Sequence, residues 1–313
     1  MRLGDARALY VRWLQATRGL SQHTIRAYDG DVAALARHVG ADADVATIDS
    51  RRLLAFIEAE RAAGLSARSL RRRVSGLRGF FGWLVSSGHV SADPWIGLRI
   101  DLGRPRRLPR VVPRDELDRL LDVLRDAARV SESRIPNRTL DEPHHATTLL
   151  AVVIMVVAGL RVSEVASVCS RDIDLGGRTV RVLGKGLRER NVFLPNDWVA
   201  SLLSAYLTTR ETLGIEHDRL LFNRRGTPLA ASTIRARLLK VAHDSGLQTR
   251  VTPHILRHTA ATQLIEAGVD IRYIQRLLGH ASLTTTEIYT HVSDQSLQQV
   301  VCAADVLGRS FAR

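Results

Sequence analysis

Lysine and cysteine are both scarce in this chain. Only two of its 45 basic residues are lysines, Lys185 and Lys240, so arginine carries nearly all of the positive charge. The two cysteines, Cys169 and Cys302, lie far apart, and neither has a second cysteine or a histidine at metal-ligand spacing. A disulfide framework and a cysteine-based metal site are therefore disfavoured, and the composition suits a reducing cytoplasm.

Long apolar runs are missing as well. The longest, Leu149–Ala158, has about half of the roughly 20 residues that a membrane-spanning helix requires. The N-terminal residues Met1–Asp5 lack the apolar core of a signal peptide. We therefore expect a protein that does not enter a membrane, and we interpret the apolar run as a buried helix.

Positive charge is what the chain has in excess. Its 313 residues include 45 basic and 32 acidic side chains, which gives a formal net charge of +13. This length is sufficient for two ordinary domains. A basic surface attracts polyanions and favours contacts with the phosphate backbone of nucleic acids, although a bias toward arginine codons would produce the same composition.

Helical periodicity dominates residues 1–100, which we interpret as a helical domain. One apolar stripe covers 25–39 behind the N-cap candidate Ser21, and another covers 70–84 behind Ser66. The other faces of the second helix carry arginines that we expect to contact phosphates, the alternative being a solvated surface. These are Arg68, Arg71, Arg72, Arg73 and Arg78.

Proline, glycine and arginine are concentrated between residues 101 and 113. This composition predicts an extended linker that follows an anionic surface. The second domain, residues 114–313, resumes with helix signals and then contains a polar insertion at 131–145. Potential ligands in the insertion lack the i, i+4 spacing of a helical metal site, so we do not expect a metal there. They are Asp141, Glu142, His144 and His145.

Short alternating segments then predict a small sheet. Residues 179–183 and 192–194 are predicted strands around a turn at Gly184–Gly186, and Ile173 marks a third strand. The chain returns to helix from Trp198 onward. The predicted fold class is therefore mainly α with a small antiparallel β-sheet.

An arginine directly follows the apolar helix, in the segment Gly159–Glu164. An unpaired charge beside a core is unfavourable, so Arg161 needs an anionic partner. Glu164, three residues later, is the structural candidate. A phosphate is the functional candidate, because a guanidinium binds two phosphate oxygens through parallel hydrogen bonds.

Lys185 lies between two glycines at the tip of the predicted hairpin. Most lysines in turns are simply solvated, but this one is retained in a chain that otherwise uses arginine. An ammonium group releases a proton far more readily than a guanidinium does. Lys185 is therefore a candidate general acid.

The segment Thr252–His258 predicts the beginning of a helix, with Thr252 as N-cap and Pro253 in the first turn. His254 and Arg257 are three residues apart and are therefore expected on one side of that turn. The positive end of the helix dipole adds its own attraction for an anion. This segment predicts a phosphate site with a proton carrier.

Two further candidates, His280 and Tyr289, lie near the C-terminus. Gly279 is predicted to end a helix just before His280. Thr284 and Glu287 form a capping box that opens another helix, and Tyr289 lies in its first turns. A tyrosine is by default a core residue, so neither candidate would indicate catalysis if taken alone.

The chain resembles the tyrosine recombinases, also called phage-type integrases, and is most similar to their Xer-like bacterial members. Five segments occur in the family's order, and together they are specific although each is weak alone. The helical N-terminal domain, with Leu20–Thr24 and Tyr28, extends the resemblance to the whole chain. The five segments are Gly-Leu-Arg-Val-Ser-Glu, Gly-Lys-Gly, His-Ile-Leu-Arg-His, Leu-Gly-His and Tyr-Thr-His.

This resemblance implies a core-binding domain at 1–100, a linker at 101–113 and a catalytic domain at 114–313. It implies that a pentad of side chains activates the phosphate and that a tyrosine attacks it. The implied 3′-phosphotyrosyl intermediate conserves bond energy on the way to a Holliday junction, so no metal ion, ATP or other cofactor is expected. The implied residues are Arg161, Lys185, His254, Arg257 and His280, with Tyr289 as the nucleophile.

The resemblance also implies the partners and the location. The chain is expected to bind double-stranded DNA and to form a homotetramer on two DNA sites. An accessory protein or a partner recombinase is possible in addition. The expected location is the nucleoid in the cytoplasm. An apolar stripe from Leu297 to Phe311 is expected to dock on the neighbouring protomer, and folding back onto its own domain is the alternative.

Two other functions have to be weighed against recombination. A type IB topoisomerase would share the chemistry and only relax DNA, but the Xer-like helical N-terminal domain argues against it. A catalytically silent DNA-binding regulator would not need an intact pentad and tyrosine.

Overall fold

The chain forms two compact units, one within Met1–Arg107 and the other within Leu108–Arg313. None of the helices in the described part of the chain is both long and apolar enough to cross a membrane. The computed structural model describes residues 1–17, 19–101, 111–130, 139–184, 189–279 and 294–304, with side chains from 297 in the last range.

The N-terminal unit is helical, as the apolar periodicity predicts. Ser21 accepts a hydrogen bond from the main-chain N of Thr24, and Ser66 accepts one from that of Ser69, so both predicted N-caps are confirmed. The apolar faces of the helices meet in one core around Phe56. The helices are α1 (Leu3–Thr17), α2 (Gln22–Val39), α3 (Ser50–Ala62) and α4 (Ala67–Ser86).

Some of the arginines on α4 form ion pairs with acidic side chains of the N-terminal unit. Asp31 on α2 is completely buried, and it accepts a hydrogen bond from Nη1 of Arg72 at 2.7 Å and lies 3.6 Å from Nε of Arg73. Burial raises the pKa of Asp31 despite these two arginines. Arg73 also pairs with Glu60. The arginine-rich surface of α4 is therefore partly structural, and Arg68 remains among its exposed members.

A helix buried on nearly all sides organises the C-terminal unit. It is α6 (Pro143–Val157), and every residue from Ala146 to Val157 is buried. The predicted buried helix is confirmed, but it begins at Pro143, so His144 and His145 belong to it rather than to a loop. Proline in the first turn is well suited to this position because that turn needs no N–H donor.

The other described helices of this unit are α5 (Arg114–Ala128), α7 (Val162–Ser167), α8 (Asp197–Thr212), α9 (Ala231–Asp244), α10 (Pro253–Glu266), α11 (Ile271–Leu278) and α12 (Asp294–Ala304). Of these, α5, α7, α8, α9 and α10 contact α6, and α11 contacts α10.

The predicted antiparallel sheet is present, with the strands in the order β1-β2-β3. They are β1 (Ile173–Asp174), β2 (Thr179–Leu183) and β3 (Glu189–Phe193). The strand predicted at Ile173 is confirmed, and β3 begins at Glu189 rather than at the predicted Val192. The pairing of β2 with β3 places Arg190 opposite Val182, so this arginine lies on the apolar face of β3.

The C-terminal helix α12 packs on its own domain. Leu297 and Val301 are 1% and 2% exposed, and Nε2 of Gln298 donates to the carbonyl of Gly177 at 3.2 Å. For residues 297–304 the single chain thus takes the alternative of folding back, because Leu297 and Val301 join the apolar core of this domain and α12 contacts the strand at residues 189–193. The rest of the predicted stripe, Leu307 and Phe311, lies outside the described residues.

Candidate active site

A tight turn joins α6 to α7 and carries the first candidate arginine. Gly159 in this turn has a φ of +58°, a conformation that favours glycine. A Cβ atom on Gly159 would lie 2.4 Å from Cδ2 of Leu278, the last residue of α11. The turn and the end of α11 therefore pack directly against each other, and two of the sequence motifs meet there.

Arg161 precedes α7 and forms an ion pair within its first turn. Its Nη1 donates to Oε1 of Glu164 at 2.7 Å, and its main-chain N donates to Oε2 at 2.9 Å. The Glu164 side chain is 5% exposed, whereas 40% of the Arg161 side chain is exposed. The structural partner is thus present, and Arg161 keeps an open side that a phosphate could approach.

Arg257, the second candidate arginine, is almost completely buried on α10. Its Nη1 donates to the carbonyl of Gly159 and its Nη2 to the carbonyl of Leu278, both at 2.6 Å. The guanidinium thereby joins the turn before α7 to the end of α11. Because both acceptors are neutral, these contacts do not cancel its positive charge.

His254 and Arg257 both lie in the first turns of α10, as predicted. Thr252 caps this helix by accepting from the main-chain N of Ile255 at 3.3 Å. His254, however, is exposed, whereas Arg257 is buried. Three residues advance a helix by about 300°, so the two side chains diverge by about 60° and the prediction of a common side is only partly right.

Arg190 is part of this site although sequence reasoning missed it. From β3 its Nη2 and Nη1 donate to Oε2 and Oε1 of Glu164 at 2.9 and 3.2 Å, and its Nε donates to the carbonyl of Leu277 at 2.9 Å. The available signal was its position in the strand, two residues before the buried Val192 and on the same face.

The site has an excess of positive charge. Three guanidinium groups, those of Arg161, Arg190 and Arg257, lie around one carboxylate, that of Glu164. Burial by itself would raise the pKa of Glu164, but hydrogen bonds from Arg190 and from the main chain of Arg161 outweigh it and hold this pKa below its usual value. Glu164 is therefore an anion at neutral pH.

Burial also acts on Arg257. Desolvation, followed by repulsion from Arg161, lowers the pKa of Arg257 to about 10. This value is far above neutral pH, so the group remains a cation. A cation that is already desolvated and fixed by two carbonyls needs little reorganisation to bind an anion.

The other three candidates lie outside the residues that the structure describes. They are Lys185, His280 and Tyr289. The described part reaches Gly184 at the end of β2 and Gly279 at the end of α11, which directly precede Lys185 and His280. Among the described residues, no three histidine, cysteine, aspartate or glutamate side chains form a group that could hold a metal ion.

Two family models match the chain. The phage integrase family matches residues 110–296, and the phage integrase N-terminal SAM-like domain matches residues 8–88. The first match alone covers more than half of the chain. The chain therefore belongs to the phage integrase family.

Among curated proteins, the chain is similar to tyrosine recombinases XerC. It is 36% identical to that of Xylella fastidiosa strain M23 over 306 residues, which cover 97% of this chain and 98% of the relative. It is 33% identical to that of Serratia marcescens over 298 residues, which cover 94% and 92%. Both domains are therefore included in the similarity.

Solved structures show the same fold. A lambda integrase tetramer bound to a Holliday junction has a TM-score of 0.69 at 22% identity and covers 91% of this chain and 76% of that one. The Tn1549 transposon integrase in complex with circular intermediate DNA also has a TM-score of 0.69, at 17% identity, and covers 96% and 98%.

The family and its full-length relatives define the class of enzyme. The chain is a site-specific tyrosine recombinase, an enzyme that breaks and rejoins DNA. Its fold is mainly α with a small antiparallel sheet, and it has an N-terminal SAM-like domain and a C-terminal catalytic domain. None of the matches described above favours a topoisomerase or a catalytically silent regulator.

Proposed function

We propose that this recombinase cleaves DNA through Tyr289 and a phosphate-activating set formed by Arg161, Lys185, His254, Arg257 and His280. The observation that carries the proposal is the convergence of Arg161 and Arg257. Arg161 directly precedes α7 and Arg257 lies on α10, and the two charges approach each other where the turn at Gly159 contacts the end of α11. Such a concentration of positive charge is suited to a phosphodiester, whose transition state carries more negative charge than its ground state.

In this mechanism Arg161 and Arg257 neutralise the non-bridging oxygens of the scissile phosphate. The half-exposed guanidinium of Arg161 and the buried guanidinium of Arg257 provide two groups of donors. His280 follows the end of α11, which Arg257 holds, and adds a further donor. Charge stabilisation of this kind requires no metal ion.

The proton transfers are assigned to Lys185 and His254. The Tyr289 hydroxyl, with an ordinary pKa of about 10, gives its proton to His254 as its oxygen forms a bond to phosphorus. The bond from phosphorus to the 5′ oxygen breaks, and Lys185 protonates that oxygen. A 5′ hydroxyl of the second DNA then attacks the 3′-phosphotyrosyl bond, releases Tyr289 and leads to a Holliday junction without ATP.

The other tyrosines of the chain support the choice of Tyr289. Tyr206 is buried in hydrogen-bond contact with Thr147, and this burial raises its pKa, so it is a poor nucleophile. Tyr10 and Tyr28 belong to the N-terminal unit. Tyr273 lies on α11 and packs against the domain core.

The proposed partners are double-stranded DNA and three further copies of the chain. The net charge of +13 favours DNA, and the similar lambda integrase forms a tetramer on a Holliday junction. We infer a tetramer that pairs two DNA sites on the nucleoid, with an accessory protein or partner recombinase where the two sites differ. The domain boundaries that we propose are 1–100, a linker at 101–113, and 114–313.

The test is covalent trapping on DNA. The protein is incubated with nicked duplexes from the DNA that flanks its own gene, and protein–DNA adducts are separated under denaturing conditions. Tyr289→Phe should bind this DNA normally but form no adduct, because only the nucleophilic oxygen is lost. Tyr273→Phe is the matched control and should form adducts like the unmodified chain.

Mapping of the adduct completes the experiment. The expected product is a tyrosine linked to a 3′ phosphate, with a free 5′ hydroxyl on the other side of the break. Adduct formation by Tyr289→Phe, or a 5′ linkage, would refute the proposed mechanism.

A further inference from the structure

Arg190 has an unusual position for a charged residue. It lies on β3 opposite Val182, and its side chain is only 13% exposed. A guanidinium is unfavourable in such a place unless its N–H groups find acceptors. All three of its nitrogen atoms find them, two at Glu164 and one at the carbonyl of Leu277.

These contacts join three parts of the site that are distant in sequence. Glu164 belongs to the first turn of α7, next to Arg161, and lies 26 residues before Arg190. Leu277 belongs to the end of α11 and lies 87 residues after it. A Cβ atom on Gly279 would lie 3.1 Å from Nη1 of Arg190, so the guanidinium also packs against the turn that ends α11.

The charges indicate what Arg190 contributes. If Glu164 were paired with Arg161 alone, the carboxylate would cancel the charge of that arginine. Arg190 instead donates to both carboxylate oxygens, whereas Arg161 donates one side-chain hydrogen bond to Oε1. Glu164 is thus compensated by Arg190, and the site keeps the charges of Arg161 and Arg257.

We propose that Arg190 is a positioning residue for DNA cleavage. It neutralises Glu164, so that the positive charge of Arg161 acts on the scissile phosphate, and it holds the end of α11 in place. This inference rests on the role proposed above for Arg161. Arg190 itself touches no reacting atom in this scheme and acts through Glu164 and Leu277.

The alternative is that Arg190 only stabilises the fold as part of a buried ion pair. The two roles differ in how they respond to the charge of the substrate. A methylphosphonate at the scissile position has no negative charge, so its cleavage depends less on positive charge in the site. A structural defect would impair both substrates, whereas an electrostatic defect would impair the natural phosphodiester more.

The experiment measures single-turnover cleavage of both nicked duplexes at saturating protein. Arg190→Gln should lower the rate on the phosphodiester by about 10- to 100-fold, as expected for a residue that acts through another. The deficit should be markedly smaller on the methylphosphonate, because only the electrostatic part of the loss depends on the charge of the substrate. Arg181→Gln is the matched control, because it removes an exposed arginine–aspartate pair from the neighbouring strand β2 and should change neither rate.

A second variant tests the part played by Glu164 directly. In the double variant Arg190→Gln with Glu164→Gln, the carboxylate that Arg190 neutralises is itself removed. Its rate on the phosphodiester should therefore exceed that of Arg190→Gln alone, whereas its rate on the methylphosphonate should stay the same. A purely structural ion pair would also couple the two substitutions, but it would raise both rates alike. Arg190→Lys retains the charge but loses the fork, so its rate on the phosphodiester should lie between those of the unmodified chain and Arg190→Gln.

The outcomes separate this inference from the proposed function. If Arg161→Gln is impaired on the phosphodiester and recovers on the methylphosphonate, the role of Arg161 stands. If the rates of Arg190→Gln then fall equally on the phosphodiester and the methylphosphonate, the inference about Arg190 is wrong. It is also wrong if the double variant cleaves the phosphodiester no faster than Arg190→Gln does. If Arg190→Gln does not fold, Arg190→Lys decides, and equal loss on both substrates overturns it.

Discussion

The candidate site uses arginines in two different ways. Arg257 donates to main-chain carbonyls, so it is desolvated and fixed while its charge remains uncompensated. Arg161 and Arg190 share one carboxylate, which orients both of them. A lysine could not reproduce either arrangement, because both depend on several donors in a planar fork.

Glu164 should make stability depend on pH. Its pKa lies below the ordinary value, so its contribution is present above the unfolded pKa of about 4.3 and is lost as pH falls through the lower native value. Glu164→Gln should cost about 3–5 kcal/mol near neutral pH, because the largely buried Arg190 loses its anion. The melting-temperature difference from the unmodified chain should shrink below about pH 4.

The control for this measurement is Glu211→Gln, at an exposed position on α8. Its melting temperature should follow that of the unmodified chain at every pH. A difference for Glu164→Gln that is constant from neutral to acid would mean that its charge does not contribute.

Lys185 offers a test of the proposed general acid. Lys185→Arg should lower cleavage by about 10²- to 10⁴-fold, because a guanidinium holds its proton too tightly to protonate the 5′ oxygen. A 5′-bridging phosphorothioate should restore the rate, since its sulfur leaves without protonation. The matched control is Lys240→Arg, which replaces the other lysine, exposed on α9 and paired with Asp244.

Rate constants on the two substrates decide the outcome. Failure of the sulfur substrate to rescue Lys185→Arg would assign the proton donor to another group. Equal losses of cleavage rate in Lys185→Arg and Lys240→Arg would mean that the enzyme tolerates no arginine in place of either lysine, and not that Lys185 is the general acid.

At the scale of elements, the site is formed where two turns of the chain meet and where α10 and β3 contribute one arginine each. The turn between α6 and α7 contacts the end of α11, α10 supplies Arg257 across both, and β3 supplies Arg190. Gly159 and Gly279 have φ values of +58° and +63°, so both turns use a backbone conformation that favours glycine. The geometry of the site therefore depends on how closely these turns approach each other.

Gly159→Ala should reveal this close approach. The substitution places an L residue at positive φ, which costs about 1–2 kcal/mol, and it adds a clash with Leu278 that costs roughly 1–3 kcal/mol more. Gly246→Ala is the matched control, because Gly246 has a φ of +65° with no atom near its would-be Cβ. Unfolding by denaturant should show the larger loss at Gly159.

A double-mutant cycle identifies the source of the difference. In a Leu278→Ala background the clash is removed, so the additional cost of Gly159→Ala should fall toward that of Gly246→Ala. Additive effects of the two substitutions would show that Leu278 is not the obstacle.

At the scale of the whole molecule, the question is whether the C-terminal helix α12 packs on its own domain or on a neighbouring copy of the chain. Leu297 and Val301 are buried on the helix's own domain, and Sγ of Cys302 lies 4.0 Å from the carbonyl of Leu194. Sequence reasoning favoured docking on a neighbouring protomer. The apolar stripe requires burial but does not specify which copy of the chain provides the surface.

Leu297→Ala tests which surface is used in solution. Packing on its own domain predicts a loss of about 2–5 kcal/mol in the unfolding of the monomer, because a buried leucine leaves a cavity. Val300→Ala, three residues on and only half-buried, should cost less. Docking between copies predicts instead that monomer stability is unchanged while paired-site complexes are lost in gel mobility assays.

Much of the fold could be predicted because its signals are local. The caps at Ser21, Ser66 and Thr252, the glycine at the end of α11 and the buried helix α6 are all recognisable within a few turns of chain. The beginning of α6 was misplaced because its first turn is polar: His144 and His145 resemble loop residues until Pro143 is recognised as a helix start.

The amino-acid sequence by itself determined the family and the mainly helical class with its small sheet, and it singled out Arg161 and Arg257 as candidates, because caps, periodicity and motifs are properties of short segments. Only the tertiary structure decided that Arg257 is held by carbonyls of Gly159 and Leu278, and that Arg190 compensates Glu164. Burial and charge compensation depend on contacts between segments far apart in the chain, and no local pattern encodes them.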